Sequence, residues 1–227
     1  NFASYLTTSA AATTVANTGQ AIALSGTLNT VQSQANASGQ FLTAANDTIT
    51  VGTGTLPTGA ASATAGLTII DPSSTDADVM NATVLGDWAL GSMVSGIETI
   101  NLNMLILGVT FAASAKTPGT TKFGLTGAQN FFVTGLPQSA TVSLGAGYTG
   151  TASAALATNT AADKFTVNLA GSTATSATAG ANLVLSAGAT EAVTLNVSAA
   201  SSIRVNAAEM FGAAGLAGTV SMTGSGA

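Results

Sequence analysis

Ile97-Glu98-Thr99-Ile100-Asn101-Leu102-Asn103 alternates apolar and polar side chains, and the alternation runs on so that Ile100, Leu102, Met104 and Ile106 share one face. A period of two is the signature of an extended strand with one side buried. The pattern returns at Thr190-Glu191-Ala192-Val193-Thr194-Leu195-Asn196-Val197, again with a glutamate just ahead of the alternation and a Leu-Asn near its end. An echo of this kind predicts stacked units of one β architecture.

Working outward, short β-type runs recur along most of the chain. Thr48-Ile49-Thr50-Val51 and Thr68-Ile69-Ile70 precede the opening stretch. After Lys116 come Phe131-Phe132-Val133, Thr141-Val142-Ser143-Leu144 and Phe165-Thr166-Val167-Asn168-Leu169. Leu183-Val184-Leu185, Val193 to Val197 and Ile203-Arg204-Val205 complete the series. Glycine-containing breaks separate them, including Gly52-Thr53-Gly54 and Gly145-Ala146-Gly147, which lack the Lys-Ser/Thr of a phosphate loop and read as turns. Aromatic residues are only 5% of the chain and much of its 46% hydrophobic content is alanine. A core of small and β-branched side chains suits thin layers of sheet. The expected fold is therefore all-β, an elongated β-solenoid or stacked β-sandwich with many short strands and little helix. Helix is expected only over residues 78–90 and 206–211, where good formers cluster.

Three segments follow from composition. Residues 1–40, rich in Ala, Thr, Ser, Gln and Asn, read as an N-terminal connector or a segment exchanged with a neighbouring subunit. Within them Ala21-Ile22-Ala23-Leu24 reads either as a short strand or as part of a weak helix. Residues 41–115 form a first β unit and residues 116–227 a second. The chain begins Asn1-Phe2, which reads as a processed product or part of something longer.

The 227 residues contain no histidine and no cysteine, and charged residues are 6%. Zinc sites of the usual ligand set, thiol nucleophiles and Ser-His-Asp triads are thereby excluded. With nine carboxylates and four cations, the chain does not read as an enzyme. Its net charge of −5 and scattered Lys116, Lys122, Lys164 and Arg204 offer no basic stripe for nucleic acid. The most apolar run, from Met104 to Ala115, is too short to span a bilayer as a helix. The sequons at Asn36, Asn46, Asn81 and Asn196 are what chance supplies in a chain this rich in Ser, Thr and Asn.

Asp71, Asp76 and Asp78 form the one dense acidic cluster, with Asp47 and Asn81 as additions. Hard oxygen ligands spaced along a turn suit Ca²⁺. The competing reading has Asp71 and Asp76 capping backbone N–H groups of a solvated turn, one of them opening a helix near Asp78. Glu98, amid apolar neighbours, reads as a structural acceptor for N–H groups of a neighbouring turn.

Phe41-Leu42-Thr43-Ala44-Ala45-Asn46-Asp47-Thr48-Ile49, then Thr68 to Ala82, then Val94-Ser95-Gly96-Ile97-Glu98-Thr99-Ile100-Asn101-Leu102 follow one another in a familiar order. Together they resemble bacterial S-layer and RTX-like surface proteins exported by type I secretion, in which an F-x-L-T…D-T-I strand precedes an Asp-rich turn and an I-E-T-I-N strand. The likeness covers residues 41–103, and the Ile97–Asn101 strand is its most specific piece. Pro72-Ser73-Ser74 stands where the family's turn has glycines, and the full glycine-rich nonapeptide repeat is absent. The resemblance implies an extended β structure supported by calcium. It also implies a secreted, extracellular protein that self-assembles with its own copies into a cell-surface S-layer or filament. An adhesin or carbohydrate-binding module of a larger surface protein, with a cell-surface glycan as partner, is the alternative.

Overall fold

The computed structural model describes residues 19–24, 42–52, 68–71, 73, 75–85, 93–105, 109–112, 116–138, 140–158, 164–171, 182–185, 192–197, 204–205 and 219–224. Within them the chain is all-β and coils as a parallel β-solenoid. One layer is a nine-stranded sheet. It opens with β1 (Ala21–Leu24), β2 (Thr48–Val51), β4 (Val79–Val84), β6 (Thr99–Met104) and β8 (Lys122–Gly127). It continues through β10 (Thr141–Leu144), β12 (Lys164–Leu169), β14 (Ala192–Val197) and β16 (Thr219–Gly224).

The chain leaves this sheet after each strand from β2 to β14 and returns one rung further on. The intervening strands form two smaller parallel sheets. One pairs β3 (Thr68–Ile70) with β5 (Met93–Ser95). The other joins β7 (Val109–Ala112), β9 (Phe131–Leu136), β11 (Thr151–Leu156), β13 (Asn182–Leu185) and β15 (Arg204–Val205). Parallel strands need such crossovers, and here the crossover is itself a strand of the opposite layer.

Register explains why the alternation matters. Ile22, Ile49, Met80, Ile100, Phe123, Val142, Val167 and Leu195 pair rung to rung in a single column. Leu24, Val51, Ala82, Leu102, Leu125, Leu144, Leu169 and Val197 form the next. With rungs about 4.8 Å apart, each side chain packs on the equivalent one above and below. Ile100, Phe123 and Leu125 are fully buried, and they share one apolar cluster with Phe131, Val133, Ala152 and Ala154 of the facing layer. Burying each large aliphatic or aromatic side chain contributes about 1.5–3 kcal/mol, so the repeated column is the main source of stability.

The two echoing stretches do lie in the same sheet, as β6 and β14. Their columns are offset, however. Asn101 falls in the row of Asn196 and Ile100 in the column of Leu195, two positions from the alignment of their glutamates.

The expected helix over residues 78–90 is not what forms: Val79–Val84 is β4, with Met80, Ala82 and Val84 buried. Neighbouring rungs on both sides supply hydrogen bonds and an apolar column, and that context outweighs the helix preference of Met and Ala. The helix expected over residues 206–211 lies outside the described residues. Ala21–Leu24 is a strand, paired in parallel with β2 of its own chain.

Candidate metal centre

Asp47, Asp78 and Glu98 each stand immediately before a strand of the long sheet, β2, β4 and β6. Thr48, Val79 and Thr99 are paired, so the three acids stack at one corner of the coil. Here the backbone turns, and the N–H of each corner residue no longer meets a carbonyl of the next rung. A side chain takes the carbonyl's place. Gln20 N–H donates to Asp47 Oδ1 at 2.5 Å, Asp47 N–H to Asp78 Oδ1 at 2.7 Å, and Asp78 N–H to Glu98 Oε2 at 2.9 Å. The corner carbonyls are satisfied in the same direction: Val79 N–H donates to Asp47 O at 2.9 Å and Thr99 N–H to Asp78 O at 3.0 Å. Glu98 thus accepts a neighbouring N–H, as its apolar setting implied.

Asp71 and Asp76 come from the segment between β3 and β4, which brings them to the same corner. Asp71 N–H donates to Ser95 O at 2.9 Å, and Asp71 Oδ2 accepts the Ser73 N–H at 2.6 Å. Gly96 makes the approach feasible. Its φ is +78°, and a Cβ there would lie 2.6 Å from Asp71 O. Asn46, beside Asp47, accepts the Ala77 N–H at 3.0 Å, which ties the segment to the corner from its other end.

Two triads result. Asp47, Asp71 and Asp78, all buried, place one carboxylate oxygen each within 4.8 Å of the others, and so do Asp76, Asp78 and Glu98. Ligands on one Ca²⁺ sit 2.3–2.6 Å from it, so pairs of them lie no more than about 5 Å apart. Both triads meet that limit. Asp47 already accepts on both oxygens, since Thr43 N–H donates to its Oδ2 at 2.5 Å and Thr43 Oγ1 to its Oδ1 at 3.1 Å, which leaves one lone pair of Oδ2 for a cation. By contrast, Asp71 Oδ1, Asp78 Oδ2 and both oxygens of Asp76 are shielded from solvent with no hydrogen-bond partner.

The electrostatics follow. Burial, aided by Asp76, Asp47 and Glu98, pushes Asp71 up to about 6 despite the Ser73 N–H. Burial, aided by Asp76, Asp71 and Asp47, pushes Asp78 up to about 7 against the Asp47 N–H. A buried charge that lacks a counter-ion is costly, and a divalent cation is what such a set of oxygens fits. The four residues expected from sequence, Asp47, Asp71, Asp76 and Asp78, are brought together; Asp71 does cap a turn N–H, that of Ser73, but the helix that Asp71 or Asp76 was expected to open near Asp78 is strand β4. Glu98 belongs with them. Its signal was in the sequence: Asp47-Thr48-Ile49-Thr50, Asp78-Val79-Met80-Asn81 and Glu98-Thr99-Ile100-Asn101 share an acid one residue ahead of the same alternation. Asn81 faces elsewhere, in the outer row of the sheet, where its Oδ1 accepts from Asn101 Nδ2 at 2.9 Å.

That outer face is the second feature. Thr50, Asn81, Asn101, Gly124, Ser143, Asn168 and Asn196 form one row across it. Asn168 Nδ2 donates to Ser143 Oγ at 3.2 Å and Asn196 Nδ2 to Asn168 Oδ1 at 2.9 Å. Gly124 interrupts the row, because a Cβ there would collide with Asn101 Oδ1. Thr83, Asn103 and Thr126 border the shallow groove of about 490 Å³ that results.

No family model, curated protein or solved structure matches this chain. Among the described residues no helix is long and apolar enough to cross a membrane.

Proposed function

We propose that this chain is a non-catalytic structural subunit, secreted and displayed at the cell surface, that assembles with its own copies into an S-layer sheet or filament. Calcium at the acidic corner is its structural cofactor. The observation that carries the reading is the outer face of the long sheet. Its Thr, Asn and Ser side chains repeat at about 4.8 Å, and among the described residues of β8, β10 and β12 it carries charge only at Lys122 and Lys164. Such a face meets another copy with little like-charge repulsion and with regularly spaced hydrogen-bonding groups. The likeness of residues 41–103 to S-layer and RTX-like proteins supports the same reading. Negative-stain electron microscopy of the purified chain in calcium tests it. Ordered arrays or fibres are expected, and monodisperse single particles at high concentration, with and without calcium, reject it.

The groove over Gly124 favours a second reading, a module that binds a cell-surface glycan. Its lining is mostly apolar, and the polar groups it includes, from Asn81, Asn101, Asn103 and the neighbouring Thr and Ser residues, are uncharged amides and hydroxyls that pair with sugar hydroxyls. Retardation in polysaccharide-containing gels, lost in Gly124→Val, supports this reading. Unchanged mobility rejects it.

A further inference from the structure

We propose that the corner holds two calcium-type cations, not one, with Asp78 shared between them and Glu98 a ligand of the second. The inference rests on the reading that the corner binds calcium at all, and goes beyond it in number and ligands.

Three observations lead there. First, the acids separate into two groups, Asp47–Asp71–Asp78 and Asp76–Asp78–Glu98, with Asp78 common to both. Second, the orphaned oxygens fall on both sides of that division. Asp71 Oδ1 belongs to the first group alone, both Asp76 oxygens to the second alone, and Asp78 Oδ2 to the shared residue. Asp78 is wholly buried and Asp71 is 5% exposed, so solvent does not take the missing partner's place. One ion in the first triad leaves Asp76 with neither of its shielded oxygens engaged. Third, the number of acids points the same way. Five carboxyl groups, Asp47, Asp71, Asp76, Asp78 and Glu98, meet here. Where cations displace their protons, one divalent ion balances two of the five charges and two ions balance four. A carboxylate shared by two ions is ordinary in paired metal sites, where the ions lie about 3.5–4 Å apart.

The ligand arrangement is completed by groups a hard cation accepts readily, backbone carbonyls and water. Glu98 keeps its hold on the Asp78 N–H through Oε2, leaving the rest of the carboxylate for the ion. The two roles are compatible because the N–H occupies one lone pair.

Native mass spectrometry of the whole chain titrated with CaCl₂ tests the proposal, with wild type, Glu98→Gln and Asp47→Asn compared at the free calcium that just saturates wild type. Glutamine retains an oxygen for the Asp78 N–H, so the corner keeps its hydrogen bond while losing a charged ligand. Wild type is expected to bind two calcium ions and each variant one, with affinity for the lost ion at least tenfold weaker. If wild type binds a single calcium, or if either well-folded variant still binds two, the two-ion proposal with these ligands is overturned. If wild type binds no calcium, the underlying reading fails with it. Circular dichroism of each variant separates ligand loss from misfolding, and should Asp47→Asn misfold, an unchanged count in Glu98→Gln alone overturns the shared site.

Discussion

The N–H of Asp47 donates to Oδ1 of Asp78, a residue 31 positions further along the chain, while Oδ2 of the same carboxylate is buried without a partner. One side chain therefore closes a rung of the solenoid with one oxygen and presents an unmet negative charge with the other. The two duties separate by mutation. Asp78→Ala removes the acceptor and strands the buried Asp47 N–H, at a cost of about 1–3 kcal/mol in any buffer. Asp78→Asn keeps an acceptor and deletes the charge. In chelator it is expected to equal or exceed wild type in urea denaturation, and in calcium to fall below it.

The raised acids also set a pH dependence for the cation-free protein. Asp71 at about 6 and Asp78 at about 7 both lie above the ordinary carboxylate value of 3.8. The folded state therefore holds these protons more tightly than the unfolded state. Between about 4 and 7 the native protein binds more protons, so stability falls as pH rises through that window and levels off above it. Denaturation midpoints in chelator should decline from pH 4.5 to 7.5. Calcium, which competes for the deprotonated form, should flatten or reverse the slope.

Gly96 tests the fit of the Asp71 segment. Its φ of +78° and the 2.6 Å separation between a built Cβ and Asp71 O mean that Gly96→Ala strains the backbone and pushes Asp71 from the corner. A loss above about 1 kcal/mol is expected in denaturant titration, along with weaker calcium binding.

The outer face yields a test of assembly without disturbing the fold. Thr166 sits on it, half-buried, in the row between Thr141 and Thr194. Thr166→Glu places a negative charge in an almost neutral surface. Light scattering should show assembly suppressed, while the melting of dispersed subunits stays within about 0.5 kcal/mol of wild type, as surface substitutions usually do.

How far the sequence revealed this structure depended on side-chain size. Strands with large β-branched or aromatic residues, such as Thr141–Leu144 and Lys164–Leu169, stood out by alternation. Thr151–Leu156 did not, because two of its three buried positions are Ala152 and Ala154, with only Leu156 large, and alanine carries almost no periodic signal. Val79–Val84 satisfied helical spacing equally well, and only the rungs beside it decide. The acidic turn was visible as a cluster with Asp47 added to it, but the addition of Glu98 comes from the parallel register that stacks corner residues from separate rungs. Glu98 seemed solitary because its companions lie 20 and more residues away.

The measurement that bears most directly on the cation-held corner is a pair of melting curves, one in calcium and one in chelator, at neutral pH. At a free concentration of about 100 times the dissociation constant, a single ion stabilises the folded state by about 2.7 kcal/mol. A higher melting temperature is expected in calcium, and Asp76→Ala, which removes two orphaned oxygens, is expected to lose the share of that gain that its own ion supplies. Superimposable curves in calcium and in chelator would contradict it, leaving these carboxylates as caps of a turn and nothing more.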